Sequence, residues 1–271
     1  MTPPFPPGWH GKLPTLGDFA SRRLPPAFLD RWDDWLAAGI NDLRAARPEA
    51  WLADYLDAPA WRFLLLPCVL DGGRASPDGA GWAGVLIPSV DRVGRYFPFT
   101  IAAPLARLPG DAAGLEALLT WLHRAEDLAQ DALHDDWDID ALEAALAVLG
   151  VPAGTAGTGA TDAVGAAAAA FSAGDARAAS ATAPLLLPAA GRSIVRPAPA
   201  ARAELAGLIG ASLVAAVLHS FSGWSLWHAD PAGVESPPAL MLTSGLPSGA
   251  DFARLFTPLP LAAGGGSESR P

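Results

Sequence analysis

The chain has 271 residues, of which 51% are hydrophobic and 17% charged, so it has ample material for a core and does not belong to the disordered class. Its formal net charge of −10 argues against a nucleic-acid binder that neutralises phosphates, and against docking on anionic membranes through a basic surface. The single cysteine, Cys68, excludes an intramolecular disulfide and a thiolate metal site within one chain.

The opening stretch GWHGKLPTLGDF contains the only lysine of the chain, Lys12, in a Gly-Lys pair that suggests a phosphate loop. That motif needs a glycine five residues before the pair and a serine or threonine directly after the lysine. Here the glycine is missing and Leu13 follows the lysine, so the sequence argues against a phosphate loop. We predict instead a first strand from Trp9 to Leu13, which ends in turns at Pro14 and Gly17.

Two helices are predicted next. Pro25 and Pro26 suit the first turn of a helix that runs to about Arg47. Its apolar residues recur at helical spacing and form one stripe: Phe28, Trp32, Leu36, Ile40 and Leu43. Pro48 ends this helix, and a second, short helix follows it. We expect four residues on the buried side of the short helix: Trp51, Leu52, Tyr55 and Leu56.

Three short, nearly continuous apolar runs then predict strands that are covered on both faces: WRFLLLPCVL, GWAGVLIPSV and YFPFTIAAPL. Only residues 91–95 separate the second run from the third, which is too short for a crossover helix. These two strands are therefore expected to pair antiparallel. The composition of DGGRASPDGAG, between the first and second runs, predicts a loop.

The second half of the chain begins with a long helix whose apolar stripe is Leu115, Leu118, Leu119, Leu122, Ala129 and Leu133. Asp140 and Glu143 then have the spacing of a capping box for a further helix over ALEAALAVL. Residues 150–191 are rich in Ala, Gly, Thr and Ser and contain few large apolar side chains. We interpret them as an insertion or flexible connection.

After this segment we expect a helix near residues 202–219, strands near 224–229 and 239–243, a short helix from about Gly249 to Phe256, and a disordered tail over 262–271. Residues 205–227 contain no Asp, Glu, Lys or Arg and are long enough to span a membrane. Polar residues crowd the second half of that stretch, and we therefore favour a buried helix followed by a turn and a strand over a membrane span.

Strands with short connections, flanked by helices before, between and after them, predict a sheet that is covered on both faces. The expected fold class is α/β in the broad sense (α+β), and because at least one pair of strands is antiparallel, it is not a simple doubly wound fold. The family resemblance described below implies the rest of this class: three α-β-α layers with a mostly antiparallel central sheet. We expect residues 1–261 to form one domain. The N-terminal stretch MTPPFPPGW has neither a basic segment nor an apolar run, so we expect no secretory signal and a cytoplasmic location.

The stretch VDRVGRYFP, residues 90–98, is the most suggestive for function. Asp91, Arg92 and Arg95 crowd a hairpin loop beside Tyr96. Arginines in such a loop can bind a carboxylate or a phosphate, which favours a recognition site. An Asp–Arg pair can equally stabilise a turn whose bend Gly94 permits. Both interpretations remain open from the sequence.

No complete catalytic or metal-binding motif is present in the sequence. There is no His-Glu-x-x-His motif and no Gly-x-Ser-x-Gly elbow, and HDDWDID lacks the glycine and glutamate that a calcium loop requires. The sequence therefore predicts no enzyme activity, no cofactor and no metal site.

Four blocks in order resemble a known family: GWHGKLPTLGDFASRRLP (8–25), APAWRFLLLP (58–67), WAGVLIPSVDRVGRYFPFTIAAPL (82–105), and SLWHA with GLP and DFARLF (225–229, 245–256). Together they are similar to the TagF/ImpM family, which is associated with bacterial type VI secretion. The chain departs from the family pattern at His228, where a second tryptophan is usual, and at His10, where another aromatic residue is frequent.

The resemblance implies a fold and a function. Members of the family have an α-β-α arrangement with a mostly antiparallel sheet and some likeness to longin domains. They are cytoplasmic accessory proteins that negatively regulate assembly of the secretion apparatus after translation. They act by binding, in some systems through a forkhead-associated scaffold protein of the same cluster. Some members are fused to a PppA-type serine/threonine phosphatase, and this sequence contains no metal-aspartate motif of that kind. The implied partners are proteins of the secretion cluster, without nucleic acid or membrane insertion.

Seven residues are the candidates for protein interaction: Asp18, Arg22, Arg23, Asp91, Arg92, Arg95 and Tyr96. The leading hypothesis is a binding regulator without catalysis. One alternative is an enzyme that handles a small ligand or phosphate with the Asp/Arg cluster. That alternative requires the opening block and the hairpin loop to converge on one pocket. Another alternative is a structural scaffold of the secretion apparatus.

Overall fold

The computed structural model describes residues 6–70, 81–105, 109, 112–152, 193–197, 209, 223–230 and 238–257. Several predicted segments lie wholly or largely outside these residues: the loop after the first apolar run, the insertion, the helix near 202–219 and the C-terminal tail. Of the predicted helix, Ile209 is described, and it is helical and buried.

Eight strands lie in the described residues: β1 Gly8–Gly11, β2 Ala20–Arg22, β3 Trp61–Leu65, β4 Gly81–Ile87, β5 Phe99–Leu105, β6 Ser193–Pro197, β7 Trp224–Ala229 and β8 Ala239–Ser244. The helices with described bounds are α1 Pro26–Ala46, α2 Trp51–Leu56, α3 Ala112–His134, α4 Ile139–Leu149 and α5 Ala250–Leu255. The three apolar runs thus form β3, β4 and β5, as predicted. Strands β2 and β6 were not predicted.

All eight described strands form one sheet in the order β2-β1-β5-β4-β3-β7-β8-β6. Every neighbouring pair is antiparallel. The predicted antiparallel pair of β4 and β5 is confirmed, in a register that runs from Gly81 opposite Leu105 to Ile87 opposite Phe99. Strand β1, from the start of the chain, lies between β2 and β5, which brings the opening block beside the β4–β5 connection.

Helices cover both faces of the sheet. On one face, Trp32 of α1 and Phe252 of α5 pack with Phe63 of β3 in one apolar cluster. On the other face, Leu118 of α3 and Leu142 of α4 pack in a second cluster with Val85 of β4. The three α-β-α layers and the antiparallel sheet agree with the predicted fold class, and the fold is of the α+β type.

Helix α1 shows why the sequence folds locally as predicted. Pro25 occupies its N-cap in an extended conformation and Pro26 is the first helical residue. A missing N–H has little cost there, because the first-turn amides have no partner within the helix. The five residues of the predicted stripe are those that α1 buries: Phe28, Trp32, Leu36, Ile40 and Leu43.

Some local predictions were wrong. In the short helix α2, Leu56 is exposed, and Asp54 is buried instead, with its Oδ2 3.1 Å from Arg47 Nη2. Helix α4 is capped by Asp138, whose Oδ1 accepts a hydrogen bond from the Ala141 amide at 2.8 Å, and Asp140 lies inside the first turn. A capping box was therefore the wrong interpretation.

Strand β1 is shorter than predicted, because it ends at Gly11. Gly11 has a φ of 130°, which only glycine adopts without strain, and the chain leaves the sheet there. In the part of the chain that the structure describes, no helix has the length and hydropathy needed to cross a membrane.

Candidate functional site

The opening block and the β4–β5 connection meet at one end of the sheet. Residues 12–19 join β1 to β2, and residues 88–98 join β4 to β5. The hydroxyl of Ser89 donates a hydrogen bond to the Lys12 carbonyl at 2.7 Å, and the Arg92 amide donates to the Leu16 carbonyl at 3.3 Å. The neighbouring positions of β1 and β5 in the sheet produce this convergence, which sequence spacing alone does not show.

A buried ion pair lies between the two loops. Lys12 Nζ lies 2.5 Å from Asp91 Oδ2, and the two side chains are 3% and 0% exposed. The ammonium group also lies 4.3 Å from the centre of the Phe19 ring, within cation–π distance. The one lysine of the sequence therefore contacts both a buried carboxylate and an aromatic face.

The carboxylate of Asp91 accepts hydrogen bonds from four donors among the described residues. Oδ1 accepts from the amides of Val93 at 3.0 Å and Arg95 at 2.9 Å. Oδ2 accepts from Lys12 Nζ and, at 2.7 Å, from Arg95 Nε. Burial raises the pKa of Asp91, but these hydrogen bonds, from Lys12 first, lower it by more, and the pKa ends well below its ordinary value.

Arg95 fastens the β4–β5 loop to the β1–β2 loop. Besides its bond to Asp91, its Nη2 donates to the Gly17 carbonyl and lies 3.9 Å from Asp18 Oδ1. Gly94, with a φ of 80°, provides the turn that brings Arg95 back to Asp91. Arg95 and Asp91 thus stabilise the turn, which was one of the two interpretations that the sequence left open.

The remaining candidate residues lie apart from this pair. Arg23, at the far end of the β1–β2 hairpin, donates to the Pro7 carbonyl and to both carboxylate oxygens of Glu143 in α4. Arg22 is exposed next to it. Tyr96 packs edge-on against Trp51 and Tyr55 at ring-centre distances of 5.9 and 6.0 Å. The structure therefore brings Asp18, Asp91 and Arg95 together, with Arg92 beside them, and separates Arg22, Arg23 and Tyr96 from them.

An exposed surface surrounds the Lys12–Asp91 pair. We call it the Phe19–Val93 surface and define it by its exposed side chains: Asp18, Phe19, Arg92, Val93 and Arg95. Phe19 is 46% exposed and Val93 is 66% exposed, which makes them two of the large apolar side chains that the described residues leave in solvent. Phe19 is held by edge-on packing with Phe97 at 4.8 Å and by stacking on His10 at 6.2 Å.

The Phe19–Val93 surface lies within a segment that a known family shares. Residues 8–149 match the family model described as the TagF N-terminal domain, type VI secretion system-associated. This chain belongs to the TagF family. The match covers β1 to α4 and so contains all seven candidate residues.

A solved structure supports the same relationship. The crystal structure of PA0076 from Pseudomonas aeruginosa PAO1, at 2.05 Å resolution, is 29% identical in sequence. The match covers 95% of this chain and 99% of that one, with a TM-score of 0.59. A comparison with curated proteins finds no match.

A second polar cluster of this TagF-family chain, centred on Arg62, was not predicted from the sequence. Arg62, the second residue of β3, is buried against α3 in an otherwise apolar layer. Its Nε donates to Glu126, its Nη2 donates to Asp230, and its Nη1 donates to His228 Nδ1 at 2.8 Å. His123 Nε2 lies 3.4 Å from Nη1. The available signal was a lone arginine inside the apolar run WRFLLL, since a buried charge requires partners.

The pKa values in this cluster follow from burial and from Arg62. Burial raises the pKa of Glu126, and the nearby guanidinium opposes that rise only in part. Burial, assisted by the positive charge of Arg62, lowers the pKa of His228 to about 3, so the ring is neutral near pH 7. Burial acts to raise the pKa of Asp230, but Arg62 outweighs it and the pKa is lowered. Among the described residues, no three His, Cys, Asp or Glu side chains are placed to hold one metal ion.

Proposed function

We propose that this chain is a non-catalytic accessory protein of the bacterial type VI secretion system, which negatively regulates assembly of the apparatus after translation by binding another protein. Membership of the TagF family supports the association with secretion. The observation that supports binding rather than catalysis is the Lys12–Asp91 pair. A general base or a nucleophile needs a free lone pair, and both groups are buried and committed to each other.

The Phe19–Val93 surface is the proposed contact region. Its half-exposed aromatic ring, Phe19, lies near exposed arginines, and aromatic residues and arginine are enriched in protein interfaces. The buried ion pair beneath holds the two loops together, which lowers the cost of ordering their backbone when a partner binds. The proposed partners are proteins of the secretion cluster, with a forkhead-associated scaffold protein as the first candidate, and the proposed location is the cytoplasm.

The alternative of a phosphate-handling enzyme has less support. Such a site needs several cations whose donors converge on an open position. Lys12 and Arg95 converge, but the Lys12 ammonium is buried against Asp91, and Arg95 already donates to Asp91 and to the Gly17 carbonyl. Arg23 is committed to Glu143 at the other end of the hairpin. The observed contacts therefore favour turn stabilisation over anion capture at this position.

The test replaces exposed residues and leaves the ion pair intact. The Arg92→Glu/Val93→Glu variant is expected to keep its fold and its thermal midpoint within about 2 °C, because both side chains are exposed. It is expected to lose both repression of secretion and capture of the partner from cells. The matched control is Val148→Glu, on α4, where the side chain is 90% exposed in the native chain. Normal repression by the double variant would show that the interface is assigned wrongly.

Stoichiometry separates a regulator from a structural scaffold. The full chain is captured from cells by affinity purification, and the proteins recovered with it are quantified by mass spectrometry. For a regulator, we expect well below one copy of this chain for each copy of the apparatus. A fixed stoichiometric ratio to the assembled apparatus would favour the scaffold alternative.

A further inference from the structure

His228 carries a buried hydrogen-bond donor without a partner. Arg62 can only donate, so the contact of its Nη1 with His228 Nδ1 makes that nitrogen an acceptor and leaves the proton of the neutral ring on Nε2. Nε2 is buried and has no hydrogen-bond partner among the described residues. Asp230 Oδ1 lies 3.8 Å away, which is beyond hydrogen-bond distance.

Asp230 is the member of the cluster that can leave it. Its side chain is 48% exposed, whereas those of Arg62 and Glu126 are 2% and 11% exposed. It directly follows the last residue of β7, so the strand ladder does not hold it. Within the cluster, the Asp230 carboxylate is anchored by Arg62 Nη2, and a rotation about its side-chain bonds would turn it towards solvent.

Departure of Asp230 would leave two donors facing one position: Arg62 Nη2 and the Nε2–H of His228. Each buried N–H donor that lacks an acceptor is costly, which applies both to Arg62 Nη2 and to His228 Nε2. We propose that Arg62 and His228 form a carboxylate-binding site between the sheet and α3, which Asp230 fills in this structure and which an external carboxylate occupies when Asp230 moves out.

A carboxylate suits the site better than a phosphate does. Its two coplanar oxygens can accept from Arg62 and His228 at once. Glu126 already contributes one negative charge, so a monoanion restores the charge that Asp230 supplies, whereas a dianion adds repulsion. The ligand is therefore a small carboxylic acid or an acidic side chain of a partner, and both present the same group.

Formate replaces the group that Asp230→Ala removes, which allows chemical rescue of the full chain. We expect Asp230→Ala to lower the thermal midpoint by about 5 °C, because a charged hydrogen bond to a buried group is lost. Formate at millimolar concentrations is expected to restore at least half of that loss in a saturable way. Sodium chloride at equal ionic strength and neutral formamide are expected to restore none of it.

Asp33→Ala is the matched control. Asp33 is 49% exposed and lies 2.8 Å from the buried His10, as Asp230 lies near His228, but among the described residues no arginine bonds to either partner. Its thermal midpoint is expected not to respond to formate. An equal response in both variants, or none in Asp230→Ala, would overturn the site. If Asp230→Ala does not fold, the same titration on Asp230→Ser tests the proposal, since the carboxylate is also absent there.

A capped peptide with one central glutamate, Ac-GGEGG-NH2, identifies the source of the carboxylate once rescue has been observed. Stabilisation of the native chain by the peptide, at a concentration where formate has no effect, assigns the site to an acidic side chain of a partner. Stabilisation by formate at lower concentrations than the peptide assigns it to a small acid.

Discussion

The ammonium of Lys12 and the carboxylate of Asp91 lie 2.5 Å apart in the interior, although 79 residues separate them in the chain. The pair joins the end of β1 to the β4–β5 loop, and it lies beneath the exposed Phe19 and Val93. The pair connects the fold to the proposed function, because the proposed contact surface depends on two loops that it holds in place.

Lys12→Met is expected to lower the free energy of unfolding by about 3 kcal/mol, because it leaves Asp91 buried with less compensating charge. Urea denaturation monitored by tryptophan fluorescence measures the loss. Arg254→Ala, which removes the exposed ion pair with Asp251, is the control and is expected to cost less than about 1 kcal/mol. Equal losses in the two variants would contradict a special role for the buried pair.

Arg92 and Arg95 are expected to differ although both lie in the same loop. Arg95→Ala removes a donor to Asp91 and the bond to the Gly17 carbonyl, and is expected to cost about 1 kcal/mol of stability. Arg92→Ala changes an exposed side chain and is expected to stay within about 0.5 kcal/mol of the native chain. Thermal unfolding of the two single variants compares them. A larger loss in Arg92→Ala would show that the two roles are reversed.

Gly39→Ala is expected to destabilise the chain although alanine is the better helix former. A Cβ at Gly39 in α1 would lie far inside van der Waals contact with the ring of Phe252 in α5. Overpacking costs about 1–3 kcal/mol, and because the added carbon would lie so close to three ring atoms, we expect the upper part of that range, above the gain of about 1 kcal/mol in helix propensity.

Chemical denaturation measures the effect of Gly39→Ala, and the double variant Gly39→Ala/Phe252→Leu is expected to recover most of the loss. Exposed Ala38 in the same helix provides the control, since Ala38→Gly is expected to cost about 1 kcal/mol from propensity alone. Stabilisation by Gly39→Ala would show that the two helices do not pack as described.

The buried His228 is expected to make the fold sensitive to acid. Its pKa is lowered from 6.5 to about 3, so its contribution is fully present above pH 6.5 and is lost as the pH falls from 6.5 towards 3. Between pH 7 and pH 5 the expected loss from this group is about 2 kcal/mol. Glu126 has the opposite effect on the pH dependence of stability, because its raised pKa means that protonation favours the folded state. The lowered pKa of Asp230 places its effect at lower pH.

Comparison with His228→Gln isolates the histidine, because Arg62, His123, Glu126 and Asp230 face the position in both chains. The free energy of unfolding, measured at pH 7 and pH 5, is expected to fall less in the variant by about 2 kcal/mol. Parallel pH dependence in the two chains would show that His228 is not buried in its neutral form.

The sequence was sufficient for elements that depend on local signals. Helix α1 begins and ends where its prolines indicate, and it buries the predicted stripe, because periodicity and cap chemistry act within a few turns. The candidate site was predicted less well. Asp91 and Arg95 were found because they are neighbours in one loop, but their link to Lys12 was not, since nothing local couples residues so distant in sequence.

Composition, apolar periodicity and turn residues by themselves determined a sheet covered by helices and the antiparallel pairing of β4 with β5. The four sequence blocks carried the resemblance to a secretion family. The tertiary structure decided what the charged residues do. Only the strand order, with β1 beside β5 and β7 beside β3, places Lys12 against Asp91 and Arg62 against His228. The physical reason is that a buried charge is stable only beside a partner of opposite charge or a hydrogen-bonding group. Long-range packing determines which residue that partner is, and such packing leaves no local pattern in the sequence.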